Sequence, residues 1–155
     1  MTATDLHMMR RMGAPSVSPD GRYAIFPLST TDLAANKRNN FVHILDLRAR
    51  GAAPRPLAGA TQGAHDAVFG ADGAIWYLAP VSGQDQLFRI AVGGQPVQAS
   101  NLKGDISGFK VSADGSRLVL FADRDLRCTD FACEGLPAKT ATGSTRAYDQ
   151  MFVRH

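Results

Sequence analysis

Ser18-Pro19-Asp20-Gly21 is the stretch that decides the fold of this 155-residue chain, because altered copies recur at Gly70-Ala71-Asp72-Gly73 and Ser112-Ala113-Asp114-Gly115. Pro or Ala at the second position, Asp at the third and Gly at the fourth are typical of a type I turn, in which Gly relieves the tight exit into the next strand. The sequence therefore predicts three hairpin turns.

An unbroken apolar run follows each turn, at Tyr23-Ala24-Ile25-Phe26, Ile75-Trp76-Tyr77-Leu78 and Leu118-Val119-Leu120-Phe121. Continuous apolar runs of strand length are typical of strands that are covered on both faces. We therefore predict that these segments are middle strands, and that Trp76 belongs to the core rather than to a ligand site.

A third segment with an apolar-apolar-basic pattern recurs at Phe41-Val42-His43-Ile44, Leu87-Phe88-Arg89-Ile90 and Phe152-Val153-Arg154-His155. Short segments that contain Pro follow the first two, at residues 54–58 and 96–99, and Pro is tolerated on the edge of a sheet. Each complete repeat therefore predicts four antiparallel strands.

The predicted fold class is all-β, and four-stranded repeats at this spacing predict part of a β-propeller. The predicted blades span residues 14–60, 61–104 and 105–155, and the third is incomplete because its pattern stops at the third strand. Closed propellers usually have about four to eight blades. We therefore expect the remainder of the same polypeptide to supply further blades.

Residues 1–13 are predicted to form a short helix that precedes the partial propeller of residues 14–155. Thr2 and Asp5 have the spacing of a capping box, with Asp in place of the usual Glu or Gln. Leu6 and Met9 follow at helical intervals, and Gly13 marks the end.

The third repeat contains an insertion of residues 123–147, which holds the two cysteines of the chain, Cys128 and Cys133. A local disulfide, two free thiols and a metal site are the alternatives, and the metal site fits least because structural zinc needs four protein ligands. We predict the disulfide. It favours a periplasmic or secreted protein, although a cytoplasmic location stays open.

Charge and hydropathy argue against two classes of partner. The net charge of +3 arises from dispersed Arg and Lys residues, and no basic stripe with interleaved aromatic residues occurs, so nucleic-acid binding is not expected. The apolar runs are far shorter than a membrane span, so no membrane contact is expected either. The oligomeric state is left open, with a homo-oligomer among the alternatives.

The sequence has no motif of a catalytic or cofactor site, neither Gly-x-Ser-x-Gly nor His-Glu-x-x-His nor a phosphate-binding loop. Ser107 has the wrong spacing for a nucleophile and is predicted to lie on a strand, and Asp123-Arg124-Asp125 is predicted to lie in a solvated loop. The four histidines are isolated in sequence and are predicted to be structural: His7, His43, His65 and His155. We therefore expect no catalytic residue, metal or cofactor in this chain, and no substrate-binding residue is identified.

Residues 4–21 resemble the start of the propeller in the prolyl oligopeptidase family of serine peptidases, where a short helix leads into a strand that ends in Ser-Pro-Asp-Gly. Residues 148–155, Tyr-Asp-Gln-Met-Phe-Val-Arg-His, are similar to a stretch in bacterial dipeptidyl-peptidase and acylaminoacyl-peptidase-like members. The Cys-x4-Cys insertion also resembles that of exported members of this group.

The resemblance implies an N-terminal propeller followed by an α/β-hydrolase domain, outside this chain, that bears a Ser-Asp-His triad. It implies a serine exopeptidase that releases short peptides, in particular dipeptides, from amino termini. The propeller would restrict access to the active site and help to hold the amino terminus of the substrate. A hypothesis from another class is a non-catalytic periplasmic propeller that binds protein partners.

Overall fold

The computed structural model describes residue 5 and residues 9–122. The strands within residues 9–122 are β1 Arg11–Met12, β2 Ser16–Val17, β3 Tyr23–Asp32, β4 Lys37–Asp46, β5 Arg55–Pro56, β6 His65–Phe69, β7 Ile75–Val81, β8 Gln84–Ile90, β9 Val97–Gln98, β10 Ile106–Val111 and β11 Leu118–Ala122.

The strands form three antiparallel sheets in chain order, which are the blades of a β-propeller. Blade 1 has β3, β4 and β5 side by side, and its first strand is broken into β1 and β2, both paired with β3. Blade 2 has the order β6-β7-β8-β9, and the described part of blade 3 is β10 paired with β11. The prediction of an all-β propeller portion is therefore confirmed.

The three Asp-Gly turns join the first and second strands of the blades, as predicted. In each turn the Gly N–H donates to the carbonyl of the first turn residue, at 2.9, 3.0 and 2.9 Å. Gly21, Gly73 and Gly115 all have positive φ, between 67° and 75°, a conformation that side chains with a Cβ rarely adopt. Gly at the fourth position is therefore required by the backbone.

The turn of blade 2 is one residue shorter on its exit side than the other two. The N–H of Ser18 donates to the carbonyl of Tyr23, five residues on, whereas the N–H of Gly70 donates to the carbonyl of Ala74, four residues on. Consequently Ile75, rather than Trp76, takes the place that Ala24 has in blade 1. The apolar runs are equivalent with an offset of one residue.

Blade 2 is covered on both faces. Ile75, Tyr77 and Ala79 of β7 pack with Ile25 and the other blade 1 residues of one core cluster. Leu78 lies in a second cluster with Leu87 of β8 and with Ile106 and Phe109 of blade 3, and Trp76 packs against that cluster. The prediction that β7 is a middle strand buried on both faces, with Trp76 in the core, is confirmed.

The N-terminal helix ends earlier than predicted, because residues 9–13 are not helical and Arg11–Met12 form β1. Met12 lies opposite Leu28 in the register of β1 and β3, and the N–H of Gly13 donates to the carbonyl of Pro27 at 2.8 Å. Pairing with β3 therefore competes successfully with the local helical pattern. Asp5 is helical, and the other residues of the predicted helix before Met9 lie outside the described residues.

Candidate functional site

The first strands of the three blades line a common cavity of about 880 Å³. Its wall is mostly apolar, with Val17 from blade 1, Val68 from blade 2 and Val111 from blade 3. Asp66 and Lys110 add the only charged side chains among the described lining residues. Because the first strand of a propeller blade is the innermost one, this cavity is the wall of the central channel.

A β-bulge interrupts the inner strand of blade 2 near one mouth of the channel. His65 lies opposite Leu78 and Val68 lies opposite Trp76, so β6 has one residue more than β7 over this interval. The extra residue places Asp66 at a φ of 50°, which Asp tolerates better than most side chains. Bulges of this kind re-aim side chains, and here Asp66 lines the cavity.

His65 lies beside Asp66 and is held in a fixed orientation. Its Nδ1 is 3.0 Å from the carbonyl oxygen of Gly63, and its Nε2 faces Asp85 Oδ2 at 3.5 Å and Asp66 Oδ2 at 3.9 Å. The carbonyl can only accept, so Nδ1 carries the proton and Nε2 faces the carboxylates. The ring therefore connects the start of β6 to the β7–β8 turn.

Asp85 is the central carboxylate of this cluster. Burial raises its pKa, His65 lowers it, and the nearby carboxylates of Asp105 and Asp66 raise it further. The Asp85 N–H also donates to Asp105 Oδ1 at 2.5 Å, which ties the start of β8 to the chain that leads into blade 3. We call His65, Asp66, Asp85 and Asp105 the channel rim.

The channel rim offers negative charge and hydrogen-bond acceptors, but the described residues assemble no nucleophile there. Ser107 lies on β10, as predicted, and its hydroxyl donates to the carbonyl of Phe121 at 3.2 Å. Across residue 5 and residues 9–122, no group of three His, Cys, Asp or Glu side chains has a metal-binding arrangement. The rim can therefore attract and orient a cationic group, and it lacks the parts for covalent catalysis.

The structure separates the other residues that the sequence singled out. His43 stacks on Phe26 within blade 1, with ring centroids 6.1 Å apart, in keeping with a structural role. His7, His155, Cys128, Cys133 and residues 123–125 lie outside the described residues. Sequence reasoning missed the rim, whose members His65, Asp85 and Asp105 follow one another at intervals of 20 residues.

Comparison with known proteins relates this chain to peptidases. No family model matches it. Dipeptidyl-peptidase 5 of Porphyromonas endodontalis is 30% identical over 125 residues, which are 79% of this chain and 18% of that protein. The acylaminoacyl peptidase of Pyrococcus horikoshii matches in structure with a TM-score of 0.56 at 15% identity, over 75% of this chain and 18% of that chain.

A propeller that has been solved by itself matches as well. The β-propeller domain of the Trilobed protease from Pyrococcus furiosus has a TM-score of 0.54 at 15% identity, over 72% of this chain and 33% of that domain. The chain thus spans less than a fifth of the length of its curated relative, 18%. The resemblance to peptidase propellers is confirmed, and the chain is part of a peptidase β-propeller. Among the helical residues that the structure describes, no segment is long and apolar enough to span a membrane.

Proposed function

We propose that this chain, which is a portion of a peptidase β-propeller, belongs to a serine exopeptidase that releases dipeptides from the amino termini of short peptides. The observation that carries this proposal is the 30% identity with a dipeptidyl-peptidase over 79% of the chain. The same observation supports a longer polypeptide, because the matched residues are 18% of that relative.

In the proposed enzyme, a separate α/β-hydrolase domain supplies the catalytic triad. Its Ser attacks the scissile carbonyl, its His accepts the Ser proton and later donates it to the leaving amine, and its acid orients the His. This chain contributes the walls that decide which substrates reach that Ser. A narrow channel excludes folded proteins and admits extended peptides.

The described residues give the propeller a way to orient the substrate. Asp66 is exposed at the cavity wall, with Asp85 and Asp105 close to it through the rim contacts. The free amino terminus of a peptide is protonated at neutral pH, so this negative rim attracts it. The apolar wall then favours peptides with apolar side chains.

The test uses the whole polypeptide that contains this chain. We expect a fluorophosphonate probe to label one Ser outside residues 1–155, and we expect release of a chromophore from dipeptide reporters with a free amino terminus. The same reporters with an acetylated amino terminus serve as the control and should be cleaved poorly. Absence of labelling and cleavage would overturn the proposal and favour a propeller that binds protein partners without catalysis.

The periplasmic location and the disulfide between Cys128 and Cys133 remain predictions. Alkylation of the native protein without reductant, followed by mass spectrometry, tests the bond directly. We expect neither cysteine to be alkylated before reduction and both to be alkylated after it. Two alkylated cysteines before reduction would contradict the bond and remove the argument for an oxidising compartment.

A further inference from the structure

The β3–β4 hairpin of blade 1 rises above the propeller face that carries the channel rim. β3 and β4 have 10 residues each, whereas the equivalent β7 and β8 have 7 each. The strand registers place the pair Thr30 and Asn39 level with Val81 and Gln84, the last pair of blade 2. Blade 1 adds two more pairs, about 7 Å of strand, and a turn of four residues, 33–36.

The projecting segment, residues 32–38, is called the hairpin tip. All of its residues are exposed. It presents an apolar side chain, Leu33, which is 45% exposed, together with two adjacent cations, Lys37 and Arg38. Within residues 9–122 neither cation forms an ion pair. An apolar residue beside unpaired cations is the composition of a contact surface for an anionic protein partner.

The hairpin tip is also held in a defined shape. Asp32 Oδ1 accepts the N–H of Ala35 at 3.0 Å, and Asn36 adopts a φ of 47° to close the turn. At its base, Gln62 Nε2 donates to Asn39 Oδ1 at 2.6 Å, which fastens the hairpin to the segment leading into blade 2. Such bracing lowers the entropy that is lost when a surface binds, so the shape favours docking over free motion.

We propose that the hairpin tip docks into an apolar recess edged by carboxylates on the catalytic domain of the same polypeptide. This inference rests on the proposed function, because that function requires a catalytic domain. The hairpin tip and the channel rim lie on one face, since the first residues of β6 and the turn between β7 and β8 lie at the same end of blade 2. A catalytic domain seated over the rim therefore meets the hairpin tip, and Leu33 with its two cations fixes the orientation of that domain.

Hydrogen exchange of the intact polypeptide tests the docking. We expect the amides of residues 33–36 to exchange at least tenfold more slowly than those of the β4–β5 turn on the opposite face. The double variant Lys37→Glu with Arg38→Glu should remove this protection, whereas Arg50→Glu in the β4–β5 turn is the matched control and should leave it intact. Exchange of the hairpin tip at the rate of a solvated turn would overturn the proposal.

Cross-linking identifies the partner. Leu33→Cys, loaded with a thiol-reactive photocrosslinker, should join the hairpin tip to a peptide of the catalytic domain without doubling the mass. Leu47→Cys is the control, since Leu47 is 49% exposed on the opposite face of the same blade. A product of doubled mass would overturn docking within one polypeptide and identify a second copy as the partner. A labelled and active enzyme with a freely exchanging hairpin tip would contradict only this inference. A protected hairpin tip in a protein without the reactive Ser would contradict only the proposed function.

Discussion

Blades 2 and 3 contain similar apolar runs, yet their middle strands have different surroundings. In β7, Ile75, Tyr77 and Leu78 are at most 1% exposed. In β11, Val119 and Phe121 are 53% and 48% exposed, although they have the same kind of pattern. The described neighbours of blade 3 cover one face only, the one that Leu120 presents to blade 2. An apolar run in a propeller therefore specifies a strand, and the adjacent blades specify its burial.

Leu78→Ala should cause the largest loss of stability, because Leu78 is fully buried between blades 2 and 3. A Leu→Ala substitution at such a site usually costs about 3–5 kcal/mol through lost burial and the cavity left behind. Denaturant unfolding of the whole protein measures the change. Val97→Ala on β9 is a control of similar chemistry, since Val97 is 64% exposed and should change the free energy of unfolding by less than about 0.5 kcal/mol.

Phe121→Ala takes the comparison to blade 3. Phe121 has the position of Leu78, because β10 and β11 have Val111 opposite Leu118 where β6 and β7 have Phe69 opposite Ile75. If the rest of the polypeptide covers this face, as we expect, the substitution costs about 3 kcal/mol in the whole protein. A cost below about 0.5 kcal/mol would mean that Phe121 stays solvated.

Gln86→Ala should have a smaller effect, of about 2 kcal/mol, by leaving buried polar groups without partners. Gln86 is 3% exposed, and its Nε2 donates to the carbonyls of Leu102 and Gly104 at 3.1 and 3.2 Å. Its Oε1 accepts from the Ser100 hydroxyl and the Leu102 N–H. These four bonds attach β8 to the segment that leads into blade 3, so the variant should also raise the exchange rates of the amides in that segment.

Gln84→Ala is the matched control. Gln84 is two residues away in the same strand, but it is exposed and makes a single bond, to the carbonyl of Lys103 at 3.2 Å. Its substitution should leave stability and amide exchange nearly unchanged. Equal effects of the two variants would show that the buried network of Gln86 contributes nothing special.

The smallest expected effects concern the turns. Hydrogen bonds from Ser112 and Ser116 lower the pKa of Asp114 to about 2. Its contribution to stability is therefore complete above pH 3.8, the ordinary value, and is lost as the pH falls through about 2. Asp114→Asn should accordingly make stability less dependent on pH in this window, as measured by thermal unfolding at stepwise pH.

Asp72 sharpens this comparison, because Gly70 replaces Ser at the first position of its turn. The side chain of Arg89 is the main cause of its lowered pKa, with the Ala74 N–H next. An exposed ion pair is screened by salt, whereas short hydrogen bonds from neutral hydroxyls are not. Added salt should therefore weaken the pH dependence that Asp72 contributes more than that of Asp114, and the reverse order would contradict this assignment.

Much of the fold could be predicted because its signals are local. The Asp-Gly turns, the apolar middle strands and the short outer strands with Pro56 and Val97 each depend on a few adjacent residues. β1 could not be predicted, since its structure depends on pairing with β3, 17 residues along at Ser29 opposite Arg11 in one register and 16 at Leu28 opposite Met12. Long-range pairing overrides local helical preference in such short segments.

The hairpin of blade 1 shows the same limit from another direction. Residues 30–40 contain few apolar side chains and are typical of a solvated loop, yet most of them are paired strand. The channel rim was missed for a related reason. Its members lie at the starts of separate strands and turns, and only the blade repeat, which brings the ends of those strands to one face, places His65 next to Asp85.

The shorter turn of blade 2 has a consequence for how such chains change over time. Loss of one residue before a strand inverts its two faces, which would ruin a sheet with one wet side. β7 is apolar on both faces, so the inverted strand still buries Ile75 and Tyr77 on one side and Leu78 on the other. Single-residue deletions and insertions in these turns are therefore nearly neutral events, and repeats of this kind can drift in length while their blades keep stacking.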